Sequence, residues 1–346
     1  MAAAQAEAAA PSPAPTPSGA SEIAALLAAL APALSTIEAQ HRALRSRAVK
    51  VLGALAGLVA AVLAAGLAGA FGSAWPFVAG IALVAAFAGW WFAMHERIAA
   101  YRDGFKRDVV GHLVAHRYPG ATFEAQRGIG IDAFRASRLF RQDIDRYQAE
   151  DLIEGRLGAT ELSISEVHAE YKTTTTDSKG RTQTHWHTIF KGVFCVADFH
   201  KHFQGVTLVV PDGAEGLFGE LGKRLQSLGR TFSDAKLVSL EDPEFERAFA
   251  VYGTDQVEAR YILSTSLMRR LLEFRQRKGT RVHLAFVDER VFVAVASSAN
   301  HFEPPSMWSA SAAIDEADMA DYMAQVGLAE DVVESLNLNT RIWGKA

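Results

Sequence analysis

Four side chains near the middle of the sequence are of types that bind metals: His168, Glu170, His185 and His187. They fall on two segments, Leu162 to Tyr171 and Thr184 to Phe199, whose β-branched and aromatic content predicts strands. The stretch from Lys172 to Arg181 between them is polar, contains Gly180 and reads as a hairpin tip. With the turn near Ser178 and Lys179, partner numbers sum to about 357, so Tyr171 faces Trp186 and Glu170 faces His187. His168, Glu170, His185 and His187 then share one face, and imidazoles with a carboxylate form a possible metal-binding patch. Their spacing matches no zinc signature, and a hairpin face is open to water. The plainer expectation is an exposed polar face with an aromatic cross-strand pair. His200 and His202 follow the end of the next strand.

Other reactive residue types have quieter explanations. Cys195, the single cysteine, lies mid-strand between apolar neighbours, as a buried inert thiol would. It also excludes an intramolecular disulfide framework and a four-cysteine zinc module. Glu241, Asp242, Glu244 and Glu246 could gather a cation, but their spacing suits the negative start of a helix. Lys179-Gly180-Arg181 could touch phosphates, yet it lacks a P-loop pattern and reads as a solvated turn. No Gly-x-Ser-x-Gly elbow, Walker sequence or dinucleotide fingerprint occurs. The chain therefore nominates no catalytic residue and no cofactor.

The elements around these residues predict an α+β domain with a mostly antiparallel sheet and flanking helices. In Thr184 to Phe199 both alternating sets are apolar, which predicts a central strand. Gly205 to Pro211 is a further strand, and Gly213 to Leu228 a helix or long loop. Asp242 precedes Pro243 as a helix cap, Asp255 to Glu258 resembles a capping box, and Ser264 or Thr265 starts a helix ended by Gly279. Val282 to Ala296 reads as a hairpin turning at Asp288-Glu289-Arg290. Helical patterns also run from Ile131 to Phe140 and from Asp315 to Leu336.

Ahead of this domain, Val51 to Met94 has no Asp, Glu, Lys, Arg or His over 44 residues. It divides at Gly72 to Pro76 into runs of 21 and 19 residues. Each is long enough to cross the roughly 30 Å hydrocarbon core of a bilayer. Arg42, Arg45, Arg47 and Lys50 flank the first run, Arg97, Arg102, Lys106 and Arg107 follow the second, and the turn is uncharged. Cationic flanks stay cytoplasmic, so a two-pass hairpin with both termini in the cytoplasm is predicted. Gly53 and Gly57, Ala82 and Ala86, and Ala85 and Gly89 are small residues four apart. That spacing allows close packing within the hairpin and, alternatively, homo-oligomerisation. Residues 1–20 read as a disordered tail without the positive start of a signal peptide, and 21–50 as a cytosolic helix kinked or interrupted at Pro32. The remaining divisions are a juxtamembrane helix over 95–120 and the α+β domain over 121–346, with a possible subdomain split near 235.

The overall balance, 35 Lys and Arg against 39 Asp and Glu, averages these regions and excludes a strongly basic nucleic-acid binder. The 49% hydrophobic content likewise excludes a wholly disordered chain.

A series of landmarks beyond the hairpin carries a resemblance. They are Glu150 to Gly155, Ser165 to Glu170, Phe190-Lys191-Gly192 leading to Phe199, Leu240 to Glu246, Val251 to Gln256, Ala259 to Leu263, and Leu336 to Trp343. In this order they resemble the bacterial membrane family catalogued as domain of unknown function 3137, over roughly residues 120–343. The resemblance implies two membrane spans before the domain and a place in the bacterial inner membrane. It supplies no activity and no catalytic residues. Arg138 stands where the resemblance implies a small residue, which argues against a tight turn there.

Three functional readings follow. The first is a membrane-tethered cytosolic binding or scaffold module whose surface or sheet edge engages a protein or peptide. The second is a reader of lipid headgroups. The third is a metal-dependent hydrolase using the His168, Glu170, His185 and His187 face.

Overall fold

A computed structural model describes residues 17–176, 181–199, 203–212 and 235–336. Residues 1–16 of the expected tail, residues 177–180 of the hairpin tip, His200, His202, the segment 213–228 and the motif beyond Leu336 lie outside the described residues. The chain divides into two compact units. One comprises residues 14–112 and 302–322, the other residues 113–301 and 323–346.

The first unit is an antiparallel pair of long helices. Helix α1 spans Pro17–Leu67 and α2 spans Trp75–Phe105, with a short 3-10 turn at Gly72–Ala74 between them. Pro76 lies in the first turn of α2, where no amide is needed. The helical start at Pro17 moves the expected tail boundary earlier, and Pro32 does not interrupt α1. Ser35 and Thr36 both donate side-chain hydroxyls to the Pro32 carbonyl, at 2.8 and 2.9 Å. The close approach of the helices also differs from the expected pattern. Gly89 meets Leu55 and Gly66 meets Trp75, whereas Gly53 and Gly57 open onto empty space.

Both helices are long and apolar enough to cross a membrane, and little of either apolar stretch is buried. Phe77, Ile81, Val84, Phe87 and Phe92 are each more than two-thirds exposed. A core helix of a water-soluble protein hides such residues.

Residues 302–322 group with these helices, whereas the sequence pattern places them in the α+β domain. His41 Nε2 donates to the Ser306 carbonyl at 3.0 Å and Arg45 to that of Ala310 at 3.1 Å. Tyr101 donates to Pro305 O at 3.2 Å, while Arg102 and the buried Lys106 pair with Glu303 at 3.0 and 3.4 Å. These bonds join residues about 200 or more positions apart, which is why local pattern could not reveal the placement.

The second unit is built on one nine-stranded sheet in which every pairing is antiparallel, as expected for the α+β class. In chain order the strands are β1 (Thr122–Glu124), β2 (Arg146–Leu157), β3 (Thr160–Thr176), β4 (Thr182–Asp198), β5 (Val206–Pro211), β6 (Lys236–Leu237), β7 (Phe249–Gly253), β8 (Val282–Val287) and β9 (Arg290–Ala296). Their spatial order is β1-β2-β3-β4-β9-β8-β5-β7-β6, which makes β4 central. Helix α3 (Gly111–Arg117) crosses the division between the units. The sheet unit also carries α4 (Ile131–Ala136), α5 (Pro243–Ala248), α6 (Gln256–Ile262), α7 (Thr265–Lys278) and α9 (Leu328–Leu336). Helix α8 (Glu316–Val326) precedes α9, with Gly327 between them.

Three helix starts were readable. Asp242 accepts from the Glu244 and Phe245 amides, Asp255 from those of Val257 and Glu258, and Ser264 from that of Leu267. Gly279 ends α7 in the left-handed conformation. The Asp255 motif is not a reciprocal box, however. The Glu258 carboxylate accepts from the Gln204 and Gly205 amides at 3.1 and 2.8 Å and so holds the chain entering β5. Helix α4 is shorter than expected. It ends at Ala136, and the chain turns at Arg138 with φ 59°, so the tight turn forms despite the arginine. That turn lays Phe140 beside Phe134, centroids 5.2 Å apart, and Phe134 packs on Phe194 of β4 at 5.0 Å.

Gly192 is the tightest point of the sheet. It pairs with Val167 on one side and Ala296 on the other, at φ 145°. A Cβ there would stand 2.6 Å from the Ser297 amide nitrogen and closer still to the Val295 carbonyl oxygen. Gly192→Ala should therefore lose more than the roughly 1–3 kcal/mol of an unfavourable dihedral. Urea unfolding of the purified chain checks this, and an unchanged midpoint would refute the close approach.

Candidate functional site: a basic cleft beside a free strand edge

The expected metal patch is taken apart by register. Tyr171 pairs with His187, Lys172 with Trp186 and Thr173 with His185, one residue out from the expected pairing. Every pair from Thr176 with Thr182 back to Tyr171 with His187 sums to 358 rather than 357, and in a strand one residue exchanges the faces. His185 and His187 consequently share a face with Tyr171 and Thr173, while Glu170 shares the opposite face with Lys172 and Trp186. His187 stacks on Tyr171 at 4.9 Å, with its Nε2 2.9 Å from the Thr173 hydroxyl. Glu170 pairs with Arg146 at 3.1 Å and lies 3.7 Å from His168. The Arg146 guanidinium lies 3.9 Å from the centre of the Trp186 ring. Among the described residues, no group of three or more His, Cys, Asp or Glu could hold a metal ion.

The other reactive candidates are also placed. Cys195 is buried in β4, and burial pushes its thiol up to about 12. Glu246 accepts from Ser239 Oγ and Leu240 N, and Asp242 caps α5, so these two carboxylates serve backbone geometry. The landmark around Asp151 is a bulge in β2, where that residue takes φ 61°. In the next landmark, Ser165 accepts from the Ile129 amide and Glu166 from that of His301.

A cleft of about 1210 Å³ opens on the sheet unit. Its floor includes Ile189, Phe190, His283 and Ala296 from β4, β8 and β9. One wall is the segment from Leu139 to Gln142 behind the Arg138 turn, and the other comprises α5 and α7. Arg141, Lys191, Arg247, Arg275 and Arg281 line it, against Glu244 as the one carboxylate. Lys191, Arg247 and Arg275 hydrogen-bond backbone carbonyls of Ser298, Pro243 and Ala248, at 3.0, 3.0 and 2.5 Å. Those acceptors fix the side chains without neutralising them, so the cleft has a positive potential. Phe140, Tyr171 and Phe190 add aromatic surface.

His283 lies deep in this site, 5.4 Å from the Phe140 ring. Burial, reinforced by the Arg281 charge, pushes its imidazole down to about 4. It is therefore neutral at pH 7, and its Nδ1 has no hydrogen-bond partner among the described residues.

The cleft meets an unfinished edge. Strand β9 pairs with β4 only from Gly192 to Asp198, and Ser297 N then closes on Lys191 O. From Thr182 to Ile189 the outer edge of β4 has no strand partner among the described residues. Thr182 to Thr188 is exposed. Beyond Glu170 the arm is a two-stranded ribbon, with Thr188 and Ile189 on the rim of the cleft.

The cleft was not read from the sequence, because its cations come from four separate segments. One signal was present: Arg269, Arg270, Arg275, Arg277, Lys278 and Arg281 crowd a short stretch that contains Glu273 alone as an acid. Alternation cannot say which of them face the cleft. In the structure Arg277 and Lys278 are taken by Asp331, at 3.2 and 2.6 Å.

The pH dependence of stability tests the burial of His283. Above about pH 7.5 the imidazole is neutral in the folded and unfolded chains alike, and it contributes no slope. As pH falls towards 4 the unfolded chain takes up a proton that the folded chain refuses. Stability should then fall by up to about 3 kcal/mol. His283→Gln should remove that component from urea unfolding curves recorded between pH 7.5 and 4.5; a profile identical to wild type would contradict the burial.

Comparison with solved structures finds the mycobacterial trehalose monomycolate transport factor A. It is 12% identical, with 68% of this chain and 97% of that one covered at a TM-score of 0.33, a likeness too slight to bear on fold or function. No curated protein matches the chain. A family model described as protein of unknown function (DUF3137) matches residues 188–338. The matched stretch contains the second half of β4 with Gly192, the cap at Asp242, the Asp255 turn and both strands of the β8–β9 hairpin. Earlier landmarks at Glu150 and Ser165 lie before it. Over residues 188–338, less than half of its length, the chain is similar to the DUF3137 family.

Proposed function

We propose that the protein is a membrane-anchored binding module whose sheet unit takes an acidic peptide segment in extended form along the outer edge of β4. The observation that carries this reading is the edge from Thr182 to Ile189, unpaired among the described residues and ending at the basic cleft. A strand added there would satisfy the exposed amides and carbonyls of β4, and alternate side chains would enter the cleft. Lys191, Arg247, Arg275 and Arg281 favour carboxylates at those positions. The hydrolase reading has no ligand set among the described residues.

In the same reading the two apolar helices cross the bacterial inner membrane and both termini are cytoplasmic. The support is the cationic flank on each side of Val51 to Met94 and the uncharged turn between the spans. Self-association would use the open face at Gly53 and Gly57.

Two measurements test these points. A labelled peptide of alternating Val and Glu should bind the purified full chain and weaken as salt is raised, while a Val and Lys counterpart should not bind. Arg247→Glu combined with Arg275→Glu should weaken binding about tenfold or more. A photo-crosslinking residue at Thr184 should capture the acidic peptide, and one at Glu161 should not. Equal binding of the basic peptide, or no capture at Thr184, would overturn the reading. For orientation, a reporter fused after Ala346 should be active in the cytoplasm, and activity outside it would reverse the topology.

A further inference from the structure

We infer that the helical unit carries a binding site for the phosphate headgroup of an anionic phospholipid, between α1 and α2 where their apolar stretches begin. The site is a cavity of about 650 Å³ within this unit. Arg47 and Lys50 reach it from α1 and Arg97 from α2, and no carboxylate lines it. Gln40, Ser46 and Tyr101 add polar groups around the same space. None of the three cations forms an ion pair with a carboxylate among the described residues. Arg102 and Lys106 farther along α2 are by contrast held by Glu303. The cavity therefore gathers three positive charges whose counterion this unit does not supply.

Position decides which anion fits. Lys50 immediately precedes the uncharged run and Arg97 lies three residues beyond its end. In a membrane those positions fall at the boundary between headgroups and hydrocarbon. Next to the cations, Val49, Leu52, Trp91 and Phe92 expose large apolar side chains. A ligand with a phosphate at the cavity and acyl chains along those residues meets both surfaces, whereas a soluble phosphate meets only the first. Basic pockets at the cytoplasmic ends of packed membrane helices suit such headgroups.

This inference rests on the membrane reading, and the two fail separately. If the chain leaves membranes in alkaline carbonate without detergent, the membrane reading falls and the inference with it. If the chain stays, native mass spectrometry of the full chain in neutral detergent tests the site, with phosphatidylglycerol, phosphatidylcholine and glycerol 1-phosphate as probes. Phosphatidylglycerol should be retained in preference to phosphatidylcholine, and glycerol 1-phosphate should bind much more weakly. Arg47→Gln, Lys50→Gln and Arg97→Gln should each reduce that preference about fivefold. Arg42, Arg45, Arg102 and Lys106 keep the flanks cationic in these variants. Arg47→Lys and Arg97→Lys should retain the preference, which separates lost charge from a damaged helix pair. Equal retention of the two lipids, a preference unchanged in the glutamine variants, or glycerol 1-phosphate binding as tightly as lipid would each overturn the site.

Discussion

The sheet unit depends on a change of company along β4. From Gly192 onward this strand is paired on both sides, and its apolar residues pack into the core with Phe134 and Phe292. Before Phe190 its strand partner among the described residues is β3 alone, and from Thr188 outward it runs into water. The switch needs the next chain segment to pass very close, and only a residue without a side chain allows Val295 and Ser297 to come so near. The core, the end of β9, the mouth of the cleft and the start of the free edge all meet at this backbone position.

An edge of that length is hazardous, since unpaired strands join other strands indiscriminately. The composition of the arm limits this. Lys172 and Arg181 carry charge, and the intervening threonines favour extended backbone while offering no broad apolar face for a second sheet. Trp186 is the exposed aromatic on the arm, and the Arg146 guanidinium covers one face of its ring. The edge can thus remain open without inviting stacked sheets.

Legibility in the sequence followed the range of the interaction. The caps at Asp242, Asp255 and Ser264 and the stop at Gly279 were readable because each is settled within a few residues. The central place of β4 was readable from two apolar faces. The pairing of His187 was not, because it depends on the position of the turn to within one residue and nothing in the polar run from Lys172 to Arg181 fixes that. Glu258 was misassigned for a similar reason: its carboxylate serves the chain before β5, more than fifty residues earlier, instead of its own helix. The cleft was the least legible feature. Its cations are scattered from Arg141 to Arg281, and only the packing of α5 and α7 on the sheet collects them.

The bonds from α1 to residues 302–322 impose an order on synthesis. His41 and Arg45 leave the ribosome long before Ser306 and Ala310, whose carbonyls they bind 265 positions later in each case. At roughly 5–20 residues per second, this wait lasts on the order of 13–53 s. During that interval the helical pair has no Glu303 for Arg102 and Lys106, whereas the residues that line the cavity between α1 and α2 are all made early. The two long helices are thus synthesised well before the residues 302–322 that join their unit.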